Sequence, residues 1–258
     1  MRVPVAACVV SGLAHSLGRI DRLGPITLMQ IHVGSGILAF PFLLMHYRSH
    51  PIRPRAVDLD RRTALRTMTL SAGALLAWIG WEGGLRAVGA PGADRRFTGS
   101  HERGSLSPAA MPTTSWLDDV SPSISLDNWR LTIGDTHLAQ GDLVKLPQET
   151  FEATLDCTSG WYSRQIWTGI RLDQLVEGGD WASFEVRSAT GYARRYPITD
   201  LSRTWVALGV GGEPLSRGHG FPARLVAPGR RGFWWVKWVV AVTPSNRPAW
   251  QQSPFPLT

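Results

Sequence analysis

Cysteine is nearly absent from this chain of 258 residues: only Cys8 and Cys157 occur. Cys8 lies in an apolar run, which argues against a disulfide to Cys157 and against a disulfide-built fold. Cys157 stands alone in the polar half of the chain. It is either a buried inert thiol or a reactive or metal-ligating one. Lysine is almost as scarce, with Lys145 and Lys237 the only two among 27 basic residues. The net charge of +7 is therefore carried by arginine, much of it beside hydrophobic segments. That pattern points to membrane topology and anion pockets rather than to nucleic acid, and no nucleic-acid reading motif accompanies it. Long internal repeats are missing too. Tryptophan, by contrast, is plentiful at twelve residues, which suits membrane interfaces and a well-packed pocket.

Charge is missing from one long stretch. Ile26 to Met45 is twenty residues without Asp, Glu, Lys or Arg, the length of a bilayer span at about 1.5 Å per residue. Two shorter apolar runs, Val3 to Gly18 and Thr67 to Trp81, flank it. Two or three transmembrane helices are expected, over about 3–18, 26–47 and 65–82, within a membrane segment 1–90. The stretch His46 to Arg66 carries six arginines against two aspartates. By the positive-inside rule it is cytoplasmic, and the chain after Trp81 lies outside. The expectation is a multi-pass protein of the cell membrane whose larger domain faces the periplasm or exterior. Arg61-Arg62-Thr-Ala-Leu65 before an apolar run fits a twin-arginine export signal, which carries folded proteins, or a pair of arginines flanking a span.

Histidine marks the same segment. His32 and His46 are fourteen residues apart, within roughly 40° of one helix face and about 21 Å apart along its axis. With the topology above, His15 and His32 both lie near the outer face. Paired imidazoles there could ligate haem b, with Gly34 and Gly36 leaving room for a flat macrocycle. The plain alternatives are a helix-end residue at 15 and a packed polar contact at 32.

Residues 91–125 are rich in Gly, Pro, Ser and Arg and read as a linker. Arg95, Arg96, His101 and Arg103 are either solvated there or touch a phosphate. A second domain is expected over 126–258. Trp129 to Ile133 and Phe151 to Asp156 alternate like strands, the second delivering Cys157 at its end. Gly134-Asp135 can turn the first, and residues 141–147 read as a short helix or turn closed by proline. Trp167 to Ile170, then Leu172, Leu175 and Val176, suggests a turn into a short helix. Trp181 to Arg187, Trp205 to Leu208 and Phe233 to Val242 are further strands. Strands with few short helices imply an α+β, β-rich domain and not a βαβ nucleotide fold.

The densest chemistry is His219-Gly-Phe-Pro-Ala-Arg224-Leu-Val-Ala-Pro-Gly-Arg-Arg-Gly-Phe-Trp-Trp235-Val236-Lys237-Trp238, some sixty residues after Cys157. It sets Arg224 and Lys237 on strand-like segments about an arginine-rich turn. A planar guanidinium gives bidentate phosphate contact and an ammonium adds point charge; the alternative is a pair of exposed strand charges. A thiolate suits a soft metal. Together these residues suggest a metal–phosphate cofactor. Next to Cys157, Tyr162 could donate a hydrogen bond to substrate and Arg164 could attract an oxyanion. Trp161 packs in the core or faces substrate. Arg194 and Arg195 add positive field at the mouth or sit on a solvated face.

Leu155-Asp-Cys157-Thr-Ser-Gly-Trp-Tyr-Ser-Arg-Gln-Ile-Trp167-Thr-Gly-Ile-Arg-Leu172, then Glu213-Pro-Leu215 and the 219–238 run, resembles the molybdopterin domain of the sulfite oxidase family over about residues 115–245. The nearest likeness is the single-domain branch typified by the periplasmic methionine sulfoxide reductase catalytic subunit. The resemblance implies a sulfite oxidase-type fold and a molybdenum–molybdopterin cofactor. It implies that Cys157 ligates molybdenum, that Arg224 binds the cofactor phosphate, and that His219, Trp235, Val236 and Lys237 line the cofactor. His219 stands where that branch has an amide, and Val186 where it has a threonine. The branch's upstream Asn and Tyr-Glu contacts have no counterpart. The chain stops soon after its last expected strand, without the immunoglobulin-like dimerisation domain of sulfite oxidases proper, which favours a monomeric catalytic unit.

The function implied is a membrane-anchored molybdenum oxidoreductase that carries out oxygen-atom transfer on a small sulfur-containing or similar molecule. Its electron partner would be a cytochrome or quinone in the membrane. A rival is a membrane electron-transfer subunit with b-type haem and a non-catalytic pterin-binding domain.

Overall fold

The computed structural model describes residues 2–20, 22–24, 26–51, 60–114, 120–177 and 179–254. The chain divides into two compact units, Met1–His101 and Glu102–Thr258.

The first unit is helical. Helix α1 (Arg2–Leu17) is followed by the two-residue strands β1 (Arg22–Leu23) and β2 (Ile26–Thr27), then α2 (Leu28–Ser49) and α3 (Arg61–Ala87). A reciprocal cap starts α2: Thr27 Oγ1 accepts from Gln30 N at 3.1 Å, and Gln30 Oε1 accepts from Thr27 N at 2.7 Å. Helices α1 and α2 run antiparallel through small residues, with Gly36 beside Cys8 and Gly12 beside His32. A methyl group on Gly12 would stand 2.9 Å from His32 Nδ1, so glycine there is what lets the ring lie against α1. Ser11 and Ser35, both buried on this seam, spend their hydroxyls on the carbonyls of Ala7 and Ile31 in their own helices.

Of the two or three spans expected, one helix among the described residues is long and apolar enough to cross a bilayer: α2, 22 residues with mean hydropathy 1.6. Helix α1 is shorter at 16 residues, and α3 begins with Arg61, Arg62 and Arg66 and ends with Glu82 and Arg86, which dilute its apolar run. Outward-facing Ile37, Leu38 and Phe40 on α2 are exposed in the chain taken alone. The twin arginines occupy the first turn of α3 behind the N-cap Asp60, which accepts from Thr63 N at 2.7 Å. Most of the arginine-rich stretch before them, residues 52–59, lies outside the described residues.

Strand β3 (His101–Glu102) falls at the division between the units. The second unit is the expected α+β, sheet-rich domain, with strands β4 (Leu131–Ile133), β5 (Thr136–Leu138), β6 (Glu149–Asp156), β7 (Trp161–Arg171), β8 (Ser183–Ser188), β9 (Ala193–Pro197), β10 (Trp205–Val210), β11 (Glu213–Pro214), β12 (Arg224–Val226) and β13 (Val239–Ser245), and one short helix, α4 (Gln140–Lys145). One sheet carries β6, β7, β10, β11 and β12, with β7 between β6 and β10 and both β11 and β12 on the far side of β10. The other has the order β5-β4-β13-β8-β9, antiparallel except for the β4–β13 pair. Trp167, Ile170, Leu172, Phe184, Tyr196, Leu225 and Val239 are wholly buried in the shared core. Removing such a side chain leaves a cavity as well as losing transfer energy.

Three expectations change. Residues Trp167 to Ile170 are the interior of β7 rather than a turn, and the short helix expected after them is a 3-10 turn over Leu172–Gln174; Trp167 is fully buried and its indole N–H donates to the Ala153 carbonyl across the hairpin. The last strand starts at Val239 rather than Phe233. Residues 232–234 form a 3-10 turn and Trp238 takes φ 52°, which breaks the extended run. The stretch read as a linker is packed rather than extended over much of its length: Arg103 N and Leu106 N donate to the Tyr162 and Arg164 carbonyls, and Met111 is buried. Residues 115–119 of that stretch lie outside the described residues.

Candidate functional site

Cys157 sits at the tip of the β6–β7 hairpin. Its N–H donates to the Trp161 carbonyl at 2.8 Å, and Gly160 N donates to the Cys157 carbonyl at 3.2 Å. This turn ends the strand ladder and points the thiol into a cavity instead of along a sheet face. The cavity encloses about 650 Å³ of empty space, part of it open to solvent. The arginine-rich segment forms the facing wall. It comes this close because residue 232 is glycine: a side-chain carbon there would lie 3.0 Å from Cys157 Cα and 3.3 Å from the Asp156 carbonyl oxygen. Arg231 ties the two together, pairing with the Asp156 carboxylate at 3.0 Å and donating to the Cys157 carbonyl at 3.1 Å.

Cys157, His219, Arg224, Trp235, Val236 and Lys237 all line this cavity. Strand β12 presents Arg224 from inside the core, with only 1% of the residue exposed. Its guanidinium lies 5.2 Å from the Trp167 ring centre and donates to the carbonyls of His219 (2.9 Å) and Trp235 (3.4 Å). Its Nε has no partner among the described residues. Burial lowers its pKa to about 10, and the neighbouring Cys157 opposes that shift. The group is still a cation at neutral pH. No Asp or Glu is among the described residues lining the cavity. A buried cation with an orphaned donor and no acidic neighbour is costly unless an anion completes it. Lys237 Nζ donates to the Gly218 and Thr114 carbonyls at 2.6 and 3.0 Å and adds a second positive charge.

His219 is buried and held at both ring nitrogens. Nε2 lies 3.0 Å from the Met111 carbonyl and therefore carries the proton; Nδ1 lies 2.8 Å from Ser216 Oγ and accepts. Burial, then the charge of Arg224, push its pKa down, so the ring is neutral. A donor set of one thiol, two cations and neutral hydrogen-bonding groups fits a phosphate-bearing metal cofactor: the thiolate for a soft metal, the cations for the phosphate.

Tyr162 and Arg164 are not brought to the cavity. Side chains alternate along β7, and Trp161 takes the face that looks into the cavity, with Ser163 and Gln165 buried on that same side. Tyr162 and Arg164 fall on the other face, where Arg164 is exposed and 3.8 Å from Glu152. Arg194, read as a field at the mouth, is buried against aromatic rings, 4.2 Å over Trp234, and donates to the Ser253 carbonyl; burial lowers its pKa. Arg195 pairs with Glu185 at 2.8 Å. His15 and His32 belong to the first unit. His15 Nε2 meets the Gly99 carbonyl at 3.1 Å and its ring lies 4.9 Å from that of His101, while His32 Nδ1 meets the Cys8 carbonyl at 2.8 Å. Among the described residues no three His, Cys, Asp or Glu side chains gather as a metal site.

Sequence reasoning missed several wall residues. Thr114 arrives from the stretch read as linker, Ser188 from the end of β8 and Tyr192 from the β8–β9 turn. Ser188 reaches the cavity wall two positions beyond Val186, which is wholly buried in the core, and its hydroxyl meets Thr190 Oγ1 at 3.0 Å. No local pattern marks these residues; only the alternation along β8 could have singled out Ser188.

The family profile described as "oxidoreductase molybdopterin binding domain" matches residues 119–253. No match was found among curated protein sequences. Among solved structures the chain is similar to the sulfane dehydrogenase SoxCD from Paracoccus pantotrophus, at 24% identity and a TM-score of 0.47, over 49% of this chain and 40% of that one. The chain thus spans well under half the length of that structure's chain.

Proposed function

The chain belongs to the oxidoreductase molybdopterin-binding domain family, and from that membership we propose that residues 126–258 hold a molybdenum–molybdopterin cofactor in the Cys157 cavity and catalyse oxygen-atom transfer on a small sulfur-containing or similar substrate. When bound, the cofactor supplies the two-electron chemistry. The protein's part is to hold and shape it. Cys157 gives a thiolate to the metal, Arg224 and Lys237 clamp the phosphate, and His219, Trp235 and Val236 line the pterin. Trp161 and Tyr192 narrow the rest of the cavity.

The observation that carries this reading is Arg224: a fully buried guanidinium, orphaned at Nε, sharing one cavity with Cys157. The test is molybdenum and pterin analysis of the purified protein. Loaded wild type, with Arg224→Ala losing the pterin, supports the reading; wild type with neither molybdenum nor pterin overturns it.

The finer assignment is to the branch typified by the methionine sulfoxide reductase subunit, anchored in the cell membrane by two or three helices including α2, with the domain outside after twin-arginine export. The exposed apolar surface of α2 and the arginine-rich stretch behind it support anchoring. Electrons then exchange with a membrane cytochrome or quinone.

A further inference from the structure

A row of three hydrogen bonds ends on the sulfur of Cys157. Trp161 Nε1 lies 3.2 Å from Thr114 Oγ1. Thr114 Oγ1 lies 3.4 Å from Ser159 Oγ, and Ser159 Oγ lies 3.0 Å from Cys157 Sγ. An indole N–H can only donate, so Thr114 accepts at the start of this row. Its own proton is then free to point at Ser159. A thiolate bonded to a metal carries no proton and can only accept. With both ends so constrained, the row runs one way: Trp161 to Thr114, Thr114 to Ser159, Ser159 to sulfur. Hydrogen bonds aligned in this fashion polarise one another, which strengthens the last one.

The row is held from behind. Lys237 Nζ donates to the Thr114 carbonyl at 3.0 Å, so the cation assigned to the phosphate also fixes the hydroxyl that orients Ser159. Trp161 is 8% exposed and locked in the β6–β7 hairpin. Ser159 sits in the hairpin turn two residues from the cysteine, a spacing that leaves its side chain no work in either sheet.

Resting on the cofactor reading above, we propose that Ser159 is a positioning residue that donates a hydrogen bond to the Cys157 sulfur and sets the reduction potential of the metal that sulfur binds. The physical cause is charge. Reduction of the metal pushes electron density onto its sulfur ligand, and a donor aimed at the sulfur stabilises that density more in the reduced state than in the oxidised one. The potential is thereby raised. Hydrogen bonds to ligand sulfurs tune metal potentials generally.

The test is a redox titration of the purified holoenzyme, followed by the electron paramagnetic resonance of Mo(V), in wild type, Ser159→Ala, Ser159→Thr and Thr114→Val. The expected result is a midpoint shifted to lower potential in Ser159→Ala, a wild-type midpoint in Ser159→Thr, and a smaller downward shift in Thr114→Val. The thiolate-to-metal charge-transfer band should move to longer wavelength in the same order, a change that loosened packing would not produce. A Ser159→Ala protein that loads molybdenum and keeps the wild-type midpoint overturns the proposal. If that variant fails to load, Thr114→Val decides: a lower midpoint supports Ser159's role and an unmoved one overturns it. Wild type lacking molybdenum and pterin sinks the cofactor reading, whereas loaded variants with unmoved midpoints sink only the role of Ser159.

Discussion

Burial first, and then the charge of Arg224, hold the His219 pKa below its usual value. A free histidine titrates near about 6.5. Below that pH the unfolded chain takes up a proton that the folded chain refuses, so stability is full above this window and falls as pH drops through it. His219→Gln should flatten this part of the profile in urea unfolding measured from pH 7.5 to 5. Arg224 makes a different prediction. Its guanidinium caps the His219 and Trp235 carbonyls, so Arg224→Ala should cost about 1–3 kcal/mol per orphaned carbonyl as well as cofactor retention. Arg224→Lys keeps the charge but not the fork. It should keep most of the stability and still lose most of the pterin, as read by denaturation and by pterin fluorescence of the acid extract.

The β6–β7 hairpin and the 224–238 segment meet as two walls, and Gly232 is the point of closest approach. Gly232→Val puts methyl groups where the Cys157 backbone now lies. The expected outcome is a folded protein, by circular dichroism, with molybdenum content reduced at least tenfold. A fully loaded variant would mean that the two walls need not approach. The same two elements explain what could be read from the sequence. Cys157 and Lys237 were legible because cysteine and lysine are rare here, and Arg224 because the run that holds it keeps a distinctive order and distance from Cys157. Tyr162 and Arg164 were misplaced because side-chain parity cannot be counted across a turn: the reversal between Cys157 and Trp161 decides which residue of β7 looks inward. The strand expected from Phe233 failed for a related reason. Trp238 adopts a left-handed φ of 52°, a conformation that costs of order 1–3 kcal/mol and that no local pattern announces. Buried Trp238 is held there by its indole N–H, which donates to the Arg217 carbonyl at 2.8 Å. Thr114 was hidden because a glycine- and proline-rich composition reads as linker whether or not the segment finds a wall to pack on.

As a whole the molecule joins a helical unit to a sheet-rich catalytic one. Helix α2 has the length and composition of a span, so the protein should stay with the membrane fraction after an alkaline carbonate wash and be released by detergent; release by carbonate alone would count against anchoring. The central claim is narrower and concerns a single bond. Molybdenum K-edge X-ray absorption on the detergent-purified holoenzyme tests it most directly, because it counts the sulfur atoms around the metal. The account predicts one more sulfur scatterer in wild type than in any residual metal-loaded Cys157→Ser protein. Identical sulfur shells in the two proteins would contradict it.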